Sequence, residues 1–180
     1  MEKWDIYDYQ RTRTGKVVAR HDVLAGATLA KGEYRLVCYI VVFNSNDEIL
    51  IHQRCLDKQG WAGYWDLTAA GSALAGENSQ QAAARELFEE VGITADFDKS
   101  LPHFTVNSLN IFNDFYLLRQ DVDLTTLNVP NDEVAQVRWA DKNEILAMIA
   151  DGSFVPIRRG TLELAYDLIK RRRTLERDET

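Results

Sequence analysis

Polar and apolar residues alternate along Trp4-Asp5-Ile6-Tyr7-Asp8-Tyr9, the period of a half-buried strand. Thr14-Gly15 reads as the turn that follows and Lys16 to Arg20 as the returning strand, so an N-terminal β-hairpin is expected over about residues 1–20. Residues 22–33, with Gly26 and Gly32, read as a loop holding a short helical turn. Arg35 to Asn44 is a dense β-branched and aromatic run, which predicts a central strand covered on both faces. Ser45-Asn46-Asp47 supplies a turn, and Ile49 to Arg54 resumes a strand. Gly60 to Tyr64 makes a loop, after which Trp65 to Ala69 predicts a short strand that ends at Gly71.

The pattern then changes from period 2 to period 3.6. Asn78 or Ser79 can cap a helix that runs to about Val91, with Ala82, Leu87 and Val91 on its apolar side and Gly92 as its stop. Strands are expected near 103–109, 114–119 and 134–140, with Asn113-Asp114 as a turn. Helices follow from about Lys142 to Ala150 and from Pro156 to about Arg173, the last with Leu162, Ala165, Leu168 and Ile169 in one stripe. No repeat, low-complexity tract or linker interrupts the chain. A single domain spanning 1–180 is expected, built as an α/β sandwich with a mixed sheet.

Bulk properties narrow the function classes. The 180 residues, 46% hydrophobic and 27% charged, are those of an ordinary globular protein. A net charge of −7 argues against general nucleic-acid binding, whose surfaces are basic. The longest apolar run, Leu36 to Phe43, is too short to span a bilayer, and the acidic start MEKWDIYD is unlike a secretory signal. Cys38 and Cys55 sit in strand segments without metal-ligand spacing, which suits two buried reduced thiols and a cytoplasmic location.

Chemistry concentrates between residues 71 and 93. Glu86, Glu89 and Glu90 stand at i, i+3 and i+4, so a helix brings them to one face. Like charges at that spacing destabilise an isolated helix and raise one another's proton affinity. Three glutamates alone would read as a solvated acidic face. Bound cations explain the cluster better, and oxygen-only ligation selects Mg²⁺ or Mn²⁺. Such ions neutralise phosphate oxygens and activate water, and phosphoryl transfer needs little beyond positioning and charge stabilisation. Arg85 can hold Glu89 at i, i+4, Glu77 precedes the positive end of the helix, and Gly71 leaves its carbonyl free to approach a metal.

This segment resembles the signature of the Nudix hydrolase family, G-x5-E-x7-R-E-U-x-E-E-x-G-U with U aliphatic. Every specified position is met from Gly71 to Ile93, a match that chance would produce in such a length with probability on the order of 10⁻⁸. The likeness extends upstream through Arg54 and Gly63-Tyr64-Trp65, and downstream through Glu133 to Trp139. It implies a Nudix-type α/β/α sandwich and hydrolysis of a nucleoside diphosphate linked to another moiety. It also implies metal ligation by Glu86, Glu89, Glu90 and the Gly71 carbonyl. WDIYD, TGKVVAR, EYRLVCYIVVFN and GYWDLTAAG look like the branch that includes isopentenyl-diphosphate isomerases. Those enzymes need a cysteine before the first glycine of the box and a histidine after it, where this chain has Ala70 and Ser72. A further histidine aligns with Tyr34. Without these groups alkene protonation has no evident acid, so a hydrolase of the isomerase-like branch is expected.

Other residues carry weaker signals. Arg35 and Arg54 are candidate phosphate contacts, with a structural ion pair as the alternative for each. Trp65 is a candidate stacking surface and Tyr64 a second one, although aromatics before a strand usually pack. Glu86 and Glu133 both stand as candidates for general base. His21, His52 and His103 are scattered, and Arg171-Arg172-Arg173 suits a helix C-terminus. The expected partner is a small diphosphate-containing molecule. The exposed hairpin allows a homodimer. A ligand sensor of the same fold that does not hydrolyse is the alternative function.

Overall fold

Asp8 turns the N-terminal hairpin. Its Oδ1 accepts from the backbone N–H groups of Gln10 and Thr12, both at 2.9 Å, and so closes the turn with a side chain. The expected turn at Thr14-Gly15 is therefore corrected: Gly15 lies within the second strand, at φ +84°. The Thr-Gly pair looked like a turn because glycine tolerates that left-handed conformation, which here accommodates an irregular register instead.

The structure, a computed structural model, describes residues 2–24 and 28–170. In chain order its strands and helices begin β1 (Lys3–Tyr7), β2 (Arg13–Ala19), α1 (Arg20–Leu24), β3 (Arg35–Phe43), β4 (Ile49–Arg54), β5 (Trp65–Asp66) and β6 (Ala69–Ser72). They continue with α2 (Ser79–Val91), β7 (Phe104–Ser108), β8 (Ile111–Arg119), β9 (Val134–Ala140), α3 (Lys142–Asp151) and α4 (Arg159–Lys170). This is a mixed α/β fold that begins with an antiparallel hairpin. The Arg171-Arg172-Arg173 run and Gly26 lie outside the described residues.

The chain divides into two units, residues 1–40 with 69–116 and residues 41–68 with 117–180. In the first, β3 pairs antiparallel with β6, placing Cys38 opposite Gly71 and Val37 opposite Ser72. Tyr7 and Tyr34 exchange backbone hydrogen bonds of 2.8 and 2.9 Å, which ties the hairpin to the start of β3. The strands β7 and β8 form an antiparallel pair whose turn is at Leu109-Asn110, with Leu109 at φ 41°. Asn113 and Asp114, read from sequence as a turn, instead lie inside β8. Their polar side chains are satisfied there: Asn113 Nδ2 donates to the Val106 carbonyl at 2.7 Å, and Asp114 receives three side chains described below.

Helix α2 follows its local signals closely. Asn78 accepts from the Gln81 N–H while the Gln81 side chain accepts from the Asn78 N–H, a capping box that satisfies two otherwise orphaned donors. Gly92 ends the helix in the left-handed region, its N–H on the Phe88 carbonyl. Ala82, Ala83, Leu87 and Val91 are buried, and burial of Leu87 alone is worth about 2 kcal/mol. Glu86 and Glu90 share that buried side.

In the second unit β4 pairs antiparallel with β9 from Ile49↔Ala140 to Arg54↔Val134, and with β5 through His52↔Asp66. A parallel bridge joins Trp65 to Phe154, so the pairing is mixed. The single strand expected over 65–69 is two short ones, because Thr68 turns its hydroxyl inward to the Leu50 carbonyl at 2.6 Å and accepts from the Val42 N–H. Phe43, Leu50, Ile51, Ile145, Phe154 and Leu162 are buried here, and Phe43 meets Tyr166 of α4 edge-on at 5.1 Å. That helix starts at Arg159 and not at Pro156, since Val155 is still hydrogen-bonded to Trp65 as extended chain. Cys55 lies just past β4 and is half-buried, so only Cys38 fits the expectation of a buried thiol.

Candidate active site

Gly71, Glu77, Arg85, Glu86, Glu89 and Glu90, all singled out from the sequence, meet in the first unit, where α2 lies against β6. Glu86 and Glu90 are one turn apart on the buried side of the helix, 9% and 2% exposed, so their carboxyls are largely withdrawn from water. Glu90 Oε2 accepts from the Ala70 N–H at 2.9 Å. The Glu86 carboxyl packs against Gly71: a Cβ on residue 71 would stand 2.0 Å from its Cδ and Oε1. Glycine here leaves room for this carboxyl, which any side chain on residue 71 would displace.

Arg85 binds the cluster together. Its Nη1 donates to Glu86 Oε1 and Glu89 Oε2, both at 2.8 Å, its Nε and Nη2 grip the Glu77 carboxylate at 2.8 and 2.9 Å, and Nη2 also reaches the Ser72 carbonyl at 3.1 Å. The pairing with Glu89 expected from spacing is present. The links to Glu77 and Ser72 were not visible in the sequence, because they depend on how residues 73–77 return beside the helix. Glu77 also accepts from the Leu74 N–H at 2.8 Å. Burial works to raise its pKa, and the Arg85 and Leu74 hydrogen bonds reverse this to a net lowering. Burial likewise opposes the Arg85 charge, but its carboxylate partners raise its pKa overall.

Glu86 behaves differently. Burial pushes its pKa up to about 7; Arg85 pulls against this, and Glu90 and Glu89 add to it. A carboxyl so placed is stabilised as an anion by a further positive charge. Among the described residues no three His, Cys, Asp or Glu side chains close on one point, and Glu89 leaves 53% of its side chain in solvent. The donor chemistry nevertheless fits a hard divalent cation: carboxylate oxygens only, a glycine that keeps the backbone accessible, and a buried acid in need of positive charge.

The remaining candidates have other surroundings. In the first unit Arg35 Nη1 donates to Ser72 Oγ at 2.7 Å, and its guanidinium lies over the Trp4 ring at 4.8 Å. The structural ion pair weighed for it is absent among the described residues. Arg54, Trp65 and Glu133 belong to the second unit. Arg54 faces the buried Asp66 at 3.6 Å and donates from Nε to the Gly60 carbonyl, Trp65 lies under the Arg138 guanidinium at 4.7 Å, and Glu133 pairs with Lys58 at 2.8 Å.

One group escaped sequence reasoning. Asp114, fully buried, accepts from Arg11 at 3.0 and 2.6 Å, from Thr105 at 2.7 Å and from Ser79, the first residue of α2, at 2.7 Å. Tyr116 donates to the same Ser79 hydroxyl at 2.8 Å. This network fixes the N-terminus of the helix that carries the carboxylates. No spacing signal pointed to it, because its hydrogen-bonded pairs are 9 to 103 positions apart.

The chain is similar to known proteins along most of its length. The model of the NUDIX domain matches residues 33–161. An uncharacterised Nudix hydrolase of Listeria monocytogenes is 42% identical over 87% of this chain and 89% of its own length. An isopentenyl-diphosphate Delta-isomerase of Leifsonia xyli is 28% identical over 61% of this chain and 63% of its own length. The crystal structure of the DR0079 protein of Deinococcus radiodurans superposes with a TM-score of 0.71 at 23% identity, covering 92% of this chain and 98% of that one, a likeness of fold. Among the described residues no helix is long and apolar enough to cross a membrane.

Proposed function

The chain belongs to the Nudix hydrolase family, and on that premise we propose that it is a divalent-cation-dependent hydrolase of diphosphate linkages in nucleoside diphosphate derivatives or similar small molecules. The observation that carries this reading is the buried carboxyl of Glu86, packed on Gly71 and held by Arg85 beside Glu89. Mg²⁺ or Mn²⁺ held by Glu86, Glu89, Glu90 and the Gly71 carbonyl would neutralise phosphate oxygens and make water a stronger nucleophile at neutral pH. The chain's own part is positional. Arg85 fixes Glu86 and Glu89 against Glu77, the Ala70 N–H holds Glu90, and Asp114 anchors the helix end. Glu86 is also the candidate general base, since it begins the acidic cluster.

The isomerase relatives share much of the chain. However, Ala70, Ser72 and Tyr34 offer neither thiol nor imidazole where the resemblance calls for them, which favours hydrolysis. The reading is tested by screening diphosphate compounds for product release with Mg²⁺, with Mn²⁺ and with chelator, for the wild type, E89Q and E90Q. Release is expected only with metal and should fall by about 100-fold or more in both variants, with thermal unfolding unchanged. Full turnover in E89Q and E90Q would remove these carboxylates from the mechanism. Tight nucleotide binding without turnover across the panel would indicate a sensor.

A further inference from the structure

Arg35 is the one described arginine that is largely enclosed and lacks a carboxylate partner. Arg11, Arg13, Arg20, Arg54, Arg85, Arg119, Arg138 and Arg159 each pair with an acid, and Arg158 lies exposed. Burial pulls the pKa of Arg35 down, Tyr39 partly offsets this, and the nearby charge of Arg20 adds to the lowering. A guanidinium nevertheless stays protonated. Enclosing such a charge without a counter-ion is costly, and one hydrogen bond plus one aromatic face repays only part of that cost.

Its placement suggests what would repay the rest. Of five N–H donors, the fork uses one on the Ser72 hydroxyl. The fully enclosed side-chain nitrogens and oxygens without a partner, among the described residues, are Trp4 Nε1 and Tyr166 Oη. The spare donors of Arg35 are not among them and keep some access to solvent, while its flat face is pinned on Trp4. Ser72, which orients it, follows Gly71 directly, and its carbonyl receives Arg85. A pre-oriented cationic fork thus stands one residue from the cradle of Glu86, with Arg20 adding to the positive potential on that side.

We propose that Arg35 is a specificity-determining residue that grips a phosphate group of the substrate's diphosphate through its unused N–H donors. The assignment rests on the hydrolase reading above and deepens it. Acids bind cations on one side of Gly71-Ser72 and Arg35 binds the anion they accompany, so selectivity for a diphosphate over a monophosphate comes from a guanidinium built into β3. Planar, two-pronged donation to phosphate oxygens is what arginine does better than lysine.

Methylenediphosphonate, whose P–C–P bridge resists hydrolysis, is the probe. Its binding at saturating Mg²⁺ is measured by calorimetry for the wild type, R35Q, R35K and S72A, with thermal unfolding recorded for each. Glutamine retains amide donors and part of the aliphatic stem beside Trp4 while removing the charge. R35Q should retain its unfolding temperature and bind about 10- to 100-fold more weakly; R35K should recover part of the loss, and S72A should weaken binding several-fold. R35Q that unfolds as the wild type does and binds equally tightly overturns the proposal. Should R35Q fail to fold, undiminished binding by S72A overturns it. The hydrolase reading fails separately: E89Q with full turnover sinks that reading, whereas an inactive E89Q beside an R35Q of wild-type affinity sinks only the role of Arg35.

Discussion

The carboxyl of Glu86 occupies the space that a side chain on residue 71 would need, with 2.0 Å between its Cδ and a Cβ built there. Helix and strand are thereby keyed to each other at one glycine. The obstructing atoms are the tip of a flexible side chain, so G71A should fold, losing about 1–2 kcal/mol, while Glu86 swings out of place. Metal-dependent turnover should fall by about 100-fold or more, because an ångström of misplacement is enough to cost that much. Urea unfolding together with steady-state kinetics checks both halves; an active G71A would show that the cradle has no role in turnover.

Arg85 holds three carboxylates with one guanidinium. Removing it leaves Glu86 buried beside like charges, so R85Q should lose about 3 kcal/mol of stability. If the carboxylates take up a cation, Mg²⁺ should raise the unfolding temperature of R85Q more than that of the wild type, since the ion then supplies the missing charge. Thermal unfolding with and without Mg²⁺ tests this, and equal shifts would contradict it.

Asp114 and Arg11 should prove energetically coupled. D114A leaves Arg11, Ser79 and Thr105 without their buried acceptor, a loss of about 1–3 kcal/mol. The double variant R11A/D114A should be less destabilised than the sum of the single ones, by about 1 kcal/mol or more. A denaturant-based double-mutant cycle measures this, and strict additivity would refute the coupling.

The two thiols should differ in reactivity. Burial pushes Cys38 up from its ordinary 9.0 to about 12; the Ser79 hydroxyl beside the sulfur works against this, and Asp114, Glu86 and Glu77 nearby add to the rise. The reactive form is the thiolate, so raising the pKa suppresses reaction. Across pH 7 to 9 iodoacetamide should modify the half-buried Cys55 and leave Cys38 untouched in the native protein, with Cys38 reacting only on unfolding. Peptide mapping after labelling decides it; prompt native alkylation of Cys38 would show that its site opens.

Much of the architecture was legible from local chemistry. Asn78, Gln81 and Gly92 delimit α2 because capping is an interaction among neighbours in sequence, and Ile49–Arg54 could be drawn as the strand resuming after the Ser45-Asn46-Asp47 turn. The convergence of Glu77, Glu86 and Glu89 on Arg85 was likewise half visible, since Glu89 lies one helical turn away. Polar residues misled where their partners were distant. Asn113-Asp114 read as a turn, although Asp114 is the buried acceptor for Arg11, 103 positions earlier. The hairpin turn moved to Asp8 because a side-chain cap outweighed the glycine signal at residue 15. Arg35 presented two readings, phosphate contact or ion pair, and only the folded chain shows that no acid among the described residues pairs with it. Periodicity and capping are energies of near neighbours and can be read along a line. Whether a buried charge has an opposite one beside it depends on which strands become adjacent, and that is decided only when the chain has packed.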